Sequence, residues 1–198
     1  MTTNRIQALA DGIFAIAATL LVLELPIPSD STDLLKDLAH DWPSYAAYVV
    51  SFMTIAIVWV NHHSLMDCVA RADRGLLELV LLLLLFVAIV PWPTALLAEY
   101  LREGTQGSTA AVVYGLVLGA MATTFTATWW YLKRHPQLLE PGTEERVPTA
   151  LRRSLVGPLV YLAGALIALI SPILAFVIFA LIAVFFAVSG RRSRPVAA

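Results

Sequence analysis

The sequence predicts an all-α integral membrane protein with six transmembrane helices per subunit. Of the 198 residues, 59% are hydrophobic and only 14% are charged, whereas soluble domains carry roughly 25% charged residues. The apolar residues form long runs, and the mean hydropathy is +0.79. Helices are the default for such runs because a helix satisfies its backbone hydrogen bonds within one segment. We therefore interpret residues 1–198 as a single transmembrane domain.

The predicted spans follow the apolar runs between polar or proline-rich breaks. Pro26 ends the first run, and Pro91-Trp92-Pro93 is expected to kink the third. The last uncharged run, 154–190, is too long for one crossing, because it would extend about 55 Å in a hydrocarbon core of about 30 Å. We divide it at Pro172, since proline suits the first turn of a helix. The predicted spans are about 5–27, 43–65, 76–98, 108–132, 154–170 and 172–190.

The distribution of basic residues predicts the orientation. Of the 13 lysines and arginines, all except Lys36 and Arg102 fall on the side that carries both termini. The positive-inside rule places that side in the cytoplasm. We therefore predict a multi-pass protein of the cell membrane with cytoplasmic N- and C-termini. The acidic loop 29–42 is expected on the other side, where it would concentrate cations near an opening or simply be a solvated loop.

The fourth span carries two local signals. Gly115 and Gly119 form a GxxxG pair, which permits close contact with another helix. Trp129-Trp130-Tyr131 precedes Lys133 and Arg134, as expected of an aromatic belt at the membrane surface. In the third span, Glu78 is expected to pair with Arg74 one helical turn earlier.

Motifs for enzymatic chemistry are absent from the sequence. There is no Gly-rich phosphate loop, no nucleophile elbow and no basic nucleic-acid patch, and the single cysteine, Cys68, excludes an intramolecular disulfide. His62, His63 and Asp67 are the only candidate metal ligands in close sequence. Adjacent histidines point about 100° apart on a helix, and no third ligand joins His63 and Asp67. We predict no enzyme activity, cofactor, metal or nucleic-acid partner.

The first span is unusual because it contains Arg5, Asp11 and Glu24. Each ionisable group costs roughly 2.5–3.5 kcal/mol at the centre of a membrane helix, so such groups face protein or water and mark a pathway. Glu24 lies at the outer end of the span, where it would feed cations to a mouth or form a structural hydrogen bond.

Helical periodicity divides the first span into stripes. Gly12, Ile16, Thr19 and Leu23 share one stripe, and a second stripe lies about a quarter turn away. The second stripe contains Asp11, Ala15, Ala18 and Val22. The first stripe would suit a narrow pore, with apolar rings as a constriction and a hydroxyl ring between them. The same spacing is compatible with ordinary helix packing.

The first span resembles that of the TMEM175 family of potassium channels. The family has an Arg-x-x-x-Phe-Ser-Asp motif followed by an apolar run, a Thr and an LVLE-like end. Leu9 and Ala10 replace the motif Phe and Ser here. A second short match is the Trp-x-x-His-His end of the second span, at Trp59, His62 and His63. The first match comprises Arg5, Asp11, Gly12, Ile13, Phe14, Ala15, Ile16, Ala17, Thr19, Leu21, Val22, Leu23 and Glu24.

The resemblance implies a potassium-selective homotetramer in which the first helix lines the pore. Rings of Ile16, Thr19 and Leu23 would surround the axis, with K⁺ as the permeant ion. No TVGYG-like segment is present, so a carbonyl-lined filter is not expected. The resemblance also implies a structural polar network behind the pore, formed by Arg5, Asp11, Trp59 and one of His62 and His63.

Three other functions are compatible with parts of the sequence. A proton- or cation-coupled secondary transporter would use Asp11, Glu24 and the two histidines as relay groups. A membrane enzyme would use His62, His63 and Asp67 around a bound metal. A purely structural membrane protein would conduct no ions.

Overall fold

The computed structural model describes residues 3–29 and 31–189, and the secondary structure in them is helical apart from one isolated β-bridge. Two short 3₁₀ segments, Leu21–Glu24 and Pro136–Leu138, interrupt the α-helices. The α-helices are α1 Thr3–Leu20, α2 Leu34–His40, α3 Trp42–Met66, α4 Arg74–Ile89, α5 Pro91–Tyr100, α6 Thr105–Arg134, α7 Arg146–Ser154, α8 Val156–Ala168 and α9 Pro172–Ser189.

Five helical stretches are long and apolar enough to cross a membrane. They are Thr3–Glu24, Trp42–Met66, Arg74–Tyr100, Thr105–Arg134 and Arg146–Ala168. The predicted class, an all-helical protein with several apolar spans, is confirmed. Helix α9 is a further apolar helix that begins at Pro172. The sixth crossing and the orientation of the termini stay predictions, and the predicted last residue of the sixth span, 190, lies outside the described residues.

The first span stops being helical earlier than predicted. Helix α1 ends at Leu20 and tightens into the 3₁₀ segment Leu21–Glu24. Leu25 then adopts an extended backbone, with φ −77° and ψ 127°. The following residue is Pro26, whose ring disfavours the helical conformation of the residue before it. Pro26 therefore ends the helical conformation one residue before its own position, at Leu25.

The third span is broken where the sequence predicts a kink. Helix α4 ends at Ile89, and α5 begins at Pro91 after the single residue Val90. The hydroxyl of Thr94 donates a 2.8 Å hydrogen bond to the carbonyl of Val90. The carbonyl of Val87 cannot accept from Pro91, which has no amide proton, and it accepts the amide of Val90 at 3.2 Å instead.

Helix α7 lies in the region that the sequence analysis assigned to a loop. It is a short amphipathic helix in which Val147 is buried, whereas Arg152 and Arg153 are exposed. It leads into α8 through Leu155, so the fifth apolar stretch begins at Arg146 instead of Ser154. Because α7 contains three arginines, it does not form part of an uncharged run in the sequence.

Helix α6 is the centre of the bundle and packs against α4, α5, α7, α8 and α9. At Gly115 an added Cβ would lie 2.9 Å from Cζ of Phe179 and 3.1 Å from Cβ of Ala165. The close helix contact predicted for the GxxxG pair is therefore present at its first glycine.

A buried chain of hydroxyls connects three helices near the middle of the bundle. Oγ1 of Thr94 on α5 lies within hydrogen-bond distance, 2.8 Å, of Oγ of Ser51 on α3. The same Oγ lies 2.9 Å from the hydroxyl of Tyr114 on α6. Because all three side chains are buried, these bonds replace those that the hydroxyls would otherwise make with water.

Two loops join at one end of the bundle, which we call the bridged end. Val69 and Leu139 form the isolated antiparallel β-bridge. The amide of Ala70 donates to the carbonyl of Leu138 at 2.9 Å, and the amide of Glu140 donates to the carbonyl of Cys68 at 2.9 Å. Residues 67–73 and 135–145 therefore form one connected layer. The opposite end carries α2, and we call it the α2 end.

Asp73 connects this layer to two helices at the bridged end. One carboxylate oxygen accepts the backbone amide of Leu76 at 2.9 Å, which caps α4. The other accepts the hydroxyl of Tyr131 at 2.8 Å. These two hydrogen bonds lower the pKa of Asp73 below its ordinary value, and the bond from the Leu76 amide has the larger effect. Next to it, the predicted pair of Arg74 and Glu78 is confirmed at 2.8 Å.

The predicted aromatic belt is divided between the surface and the core. Trp130 is half exposed, and the guanidinium of Arg134 lies 4.7 Å from the centre of its ring. Trp129 is buried and packs edge-on against Phe125. The prediction is wrong for Trp129, because consecutive residues on a helix point about 100° apart.

Candidate functional site

Helix α1 has one buried face, which packs against α3 and α4. Its residues recur every three or four positions, and none is more than 3% exposed. This face, with its continuation in the 3₁₀ segment, comprises Ile6, Ala10, Phe14, Ala17 and Leu21. Ala10, which replaces the motif serine, lies in this packed face, whereas Leu9, which replaces the motif phenylalanine, is exposed.

The stripe predicted from periodicity lies on the exposed side of α1. Gly12, Ile16, Thr19 and Leu23 are all exposed, Ile16 by 60% and Leu23 by 74%. Leu23 belongs to the 3₁₀ segment, where each residue turns by about 120° instead of 100°. It is therefore rotated around the axis relative to the other three. A single subunit leaves this mostly apolar surface uncovered.

Thr19 is the polar residue of the stripe. Its hydroxyl donates back to its own helix, with the carbonyl oxygens of Ala15 and Ile16 at 3.0 and 2.9 Å. A hydroxyl has one proton and two lone pairs. Because the proton is directed to the backbone, the lone pairs of the exposed oxygen are available to a cation.

Asp11 and Trp59, two members of the predicted polar network, lie in contact. The indole Nε1 of Trp59 on α3 donates to Oδ1 of Asp11 at 2.8 Å. Arg5 is exposed and makes no hydrogen bond or ion pair within residues 3–29 and 31–189. Six residues at 100° each place Arg5 and Asp11 about 120° apart around α1, so the two side chains leave the helix in different directions.

The two histidines of α3 occupy different environments. His62 is 2% exposed, and its ring lies 5.7 Å from that of Phe14 on α1. Its Nε2 has no hydrogen-bond partner in the described part of the chain. His63 is exposed, with its ring 6.4 Å from Trp59 and its Nε2 4.0 Å from Asp67. Among the described residues, no three His, Cys, Asp or Glu side chains converge as metal ligands.

Glu24 lines a groove of about 480 Å³ at the α2 end. The groove also contains Asp41, Glu99 and Glu103. Arg102 crosses it, with its Nη2 2.9 Å from Nε2 of His40. Sequence reasoning identified Glu24 and the acidic loop 29–42, which contains Asp41, but it missed Glu99 in the last turn of α5 and Glu103 in the loop after α5. The signal available was the run of charged residues 99–103, which the fold brings beside the end of the first span.

Comparison with known proteins identifies the family. The sequence model of the family described as "Endosomal/lysosomal potassium channel TMEM175" matches residues 5–91. A potassium channel of Streptomyces collinus is 50% identical over 162 residues, which cover 80% of this chain and 79% of that protein. A potassium channel of Chamaesiphon minutus is 38% identical over 190 residues, which cover 93% of each protein.

A solved structure supports the same assignment. The crystal structure of a lysosomal potassium-selective channel TMEM175 homolog from Chamaesiphon minutus superposes with a TM-score of 0.84 at 38% identity. The superposition covers 94% of this chain and 97% of that one. The resemblance inferred from the first two spans therefore extends over nearly the whole fold, and this chain belongs to the TMEM175 family.

Proposed function

We propose that the protein is a potassium-selective cation channel of the cell membrane. It works as a homotetramer of six-span subunits with both termini in the cytoplasm, and α1 lines the pore. Ions pass down their electrochemical gradient without an enzymatic reaction, and K⁺ is the permeant ion with no bound cofactor. Support comes from two relatives named potassium channels and from a structural neighbour described as potassium-selective.

The observation that carries the proposal is the uncovered stripe of α1. This helix buries one face in its own subunit, while its other side exposes Gly12, Ile16 and Thr19 in line. Exposed apolar surface of this kind is expected to face lipid or another subunit. The exposed hydroxyl oxygen of Thr19 would gain nothing from lipid, but around a central axis it would face permeating ions.

Four copies of the stripe would form a constriction with two chemical parts. An Ile16 ring excludes water, and a narrow apolar ring blocks ions by dewetting. The neighbouring Thr19 ring presents oxygen lone pairs that replace part of the hydration shell of a cation. Leu23, rotated by the 3₁₀ segment, forms the outer rim. Conduction requires the Ile16 ring to widen or rotate away from the axis.

The contact between Asp11 and Trp59 would hold α1 in the rotation that this pore needs. It connects α1 with α3 on the exposed side of the bundle, while His62 packs against Phe14 on the buried side. We assign His62 to this support because it contacts α1 and is buried. Arg5 would join the network from a neighbouring subunit, since within one subunit it points elsewhere. Glu24 and the acidic groove would supply cations to the outer mouth.

Ion flux from liposomes tests the proposal directly. Purified protein would be compared under a potassium and a sodium gradient, as wild type, Ile16→Asn and Leu85→Asn. Leu85 on α4 is 59% exposed and so matches Ile16 in exposure without belonging to the stripe. We expect faster flux for potassium, an increase with Ile16→Asn because a polar ring holds water, and no increase with Leu85→Asn.

Two results would contradict the channel. If every variant is folded and none conducts ions, the channel proposal is wrong and a structural role is favoured. Flux that saturates with substrate and depends on a proton gradient would favour the transporter with Asp11 and Glu24 as relay groups. The subunit number is tested separately, by the mass of the detergent-solubilised assembly, for which we expect four copies.

A further inference from the structure

Four basic side chains at the bridged end have no acidic partner among the residues that the structure describes. Lys133 and Arg134 end α6, and Arg152 and Arg153 lie in the last turn of α7. All four are exposed. Within residues 3–29 and 31–189, the side-chain ion pairs are Arg74 with Glu78 and His63 with Asp67, so no carboxylate lies within 4.0 Å of these four cations.

The arginines of α7 lie directly beside an apolar surface. Leu155, Val156 and Leu159 follow them and are 48%, 37% and 67% exposed. They lie within the fifth apolar stretch, immediately after α7, so in a membrane they contact acyl chains. Arg152 and Arg153 therefore lie at the depth of the lipid headgroups.

Helix α6 packs against α7 along the face that carries Thr126. The hydroxyl of Thr126 donates to the carbonyl of Ser154 at 3.0 Å, which brings this face of α6 against the end of α7. Trp130 and Arg134 follow Thr126 at intervals of four residues, so they continue the same face toward the bridged end. The half-exposed indole of Trp130 carries the guanidinium of Arg134 over its ring.

We propose that Trp130, Arg134, Arg152 and Arg153, here called the arginine surface, bind the headgroup phosphate of an anionic phospholipid. Guanidinium groups form paired, charge-assisted hydrogen bonds with phosphate oxygens. Trp130 occupies the membrane–water interface, as tryptophan prefers to do, and it holds Arg134 in place. Leu155, Val156 and Leu159 contact the acyl chains of the same lipid.

Topology alone does not account for this arrangement. The positive-inside rule requires basic residues on one side of the membrane, but it does not require an arginine to lie over a half-exposed indole, or the basic residues among the described part of the chain to lack carboxylate partners. An acidic soluble partner would explain the charge but not its continuity with a lipid-facing surface. A membrane lipid supplies a phosphate at this depth and an acyl chain beside it, so it matches both features.

Native mass spectrometry of the detergent-purified protein tests the proposal, with phosphatidylglycerol and phosphatidylcholine as the probes. We expect wild type to retain phosphatidylglycerol in preference to phosphatidylcholine. Each arginine near an anionic surface contributes a factor of about fivefold in affinity. Arg152→Gln combined with Arg153→Gln should therefore weaken phosphatidylglycerol binding by about 25-fold and leave phosphatidylcholine binding unchanged.

The matched control removes two positive charges elsewhere, through Lys36→Gln and Arg74→Gln. Lys36 lies at the α2 end, whereas Arg74 lies at the bridged end and already pairs with Glu78. The control should keep the lipid preference. Equal retention of the two lipids by wild type, or an equal loss in the control, would overturn the proposal.

A conservative pair guards against misfolding. Arg152→Lys with Arg153→Lys keeps the charge but removes the planar fork, so we expect an intermediate affinity for phosphatidylglycerol. Thermal unfolding in phosphatidylcholine micelles should give the same midpoint for this pair and for wild type. The lysine pair keeps both positive charges. If it is folded but binds phosphatidylglycerol no better than phosphatidylcholine, positive charge at positions 152 and 153 does not attract the anionic headgroup, and the proposal fails.

Discussion

The indole Nε1 of Trp59 donates a 2.8 Å hydrogen bond to Oδ1 of Asp11, and this bond joins α3 to the exposed side of α1. The two residues are 48 positions apart in the chain. A carboxylate inside an apolar span is costly unless it is paired. Here the pair also restricts the rotation of α1, which decides which residues of that helix face outward.

A double-mutant cycle should measure this bond. We expect Asp11→Ala and Trp59→Phe each to lower the free energy of unfolding in mixed micelles, with a coupling of about 1 kcal/mol between them. Trp92→Phe is the control, since Trp92 on α5 is also about half exposed but contacts no carboxylate through a hydrogen bond within the described residues. Additive effects of the two substitutions would show that the bond contributes no stability.

Thr19 should influence ion selectivity through its oxygen. Thr19→Ala removes the lone pairs, so we expect a lower ratio of potassium to sodium permeability, whereas Thr19→Ser should keep the ratio near wild type. Reversal potentials in planar bilayers measure this ratio. Thr123→Ala is a matched control, because Thr123 on α6 is exposed and its hydroxyl donates to the carbonyl of Gly119 at 2.7 Å. A change in Thr123→Ala as large as in Thr19→Ala would contradict the assignment.

The two glycines of α6 should respond differently to alanine. At Gly115 an added Cβ would meet Phe179 at 2.9 Å, whereas at Gly119 the nearest atom is Cβ of Tyr161 at 3.5 Å. Overpacking costs about 1–3 kcal/mol, so Gly115→Ala should lower the midpoint of thermal unfolding. Gly119→Ala should leave it unchanged or raise it, since alanine favours a helix more than glycine does.

A second substitution should identify the cause. Phe179→Leu shortens the opposing side chain, so it should restore part of the stability lost in Gly115→Ala. If the double variant is no more stable than Gly115→Ala alone, the contact with Phe179 is not the source of the loss.

The stability of the bridged end should depend on acid through Asp73. Its pKa is lowered in the folded protein, chiefly by the Leu76 amide and then by the Tyr131 hydroxyl, from an ordinary value of 3.8. A lowered pKa means that the carboxylate stabilises the fold above pH 3.8 and that this contribution is lost as the pH falls through the folded value. Asp73→Asn should therefore be less stable than wild type at neutral pH.

This difference should shrink in acid. Thermal unfolding midpoints of wild type and Asp73→Asn, measured from neutral pH to below 3.8, should converge as the wild-type carboxylate becomes protonated. Glu145→Gln provides the control, because Glu145 is exposed at the same end. A constant difference between wild type and Asp73→Asn at every pH would exclude titration of Asp73 as its cause.

Glu24 should raise the potassium current at low salt. A carboxylate beside the outer mouth raises the local cation concentration, and salt screens this effect. We expect Glu24→Gln to reduce potassium current that enters from the α2 end at low ionic strength, with little effect at high ionic strength. Glu145→Gln, at the bridged end, should not reduce current in that direction. A salt-independent reduction would assign Glu24 a structural role instead.

Local chemistry was readable from the sequence alone. The prolines at 91 and 172 mark a break and a helix start because proline lacks an amide proton and has a fixed φ. The grouping of Gly12, Ile16 and Thr19 in one stripe of α1 follows from a period of 3.6 residues, which depends only on helix geometry. The pairing of Arg74 with Glu78 has the same origin, since residues four apart are neighbours on a helix.

Contacts between distant segments were not readable in this way. Which of His62 and His63 packs against α1, and which carboxylates join Glu24 in one groove, depend on how each helix is rotated and packed. Helix α7 was missed because its arginines interrupt the apolar pattern, although its buried side holds Val147 against the bundle.

The sequence by itself determined an all-helical membrane protein, its proline breaks, and the grouping of Gly12, Ile16 and Thr19 on one side of its first helix, because helical periodicity and the cost of burying polar groups in lipid act locally. Only the tertiary structure decided that Trp59 bonds to Asp11, that His62 packs against Phe14, and that the face of α6 with Thr126, Trp130 and Arg134 packs against the end of α7. Those contacts arise from side-chain packing between helices, whose rotations no single segment specifies.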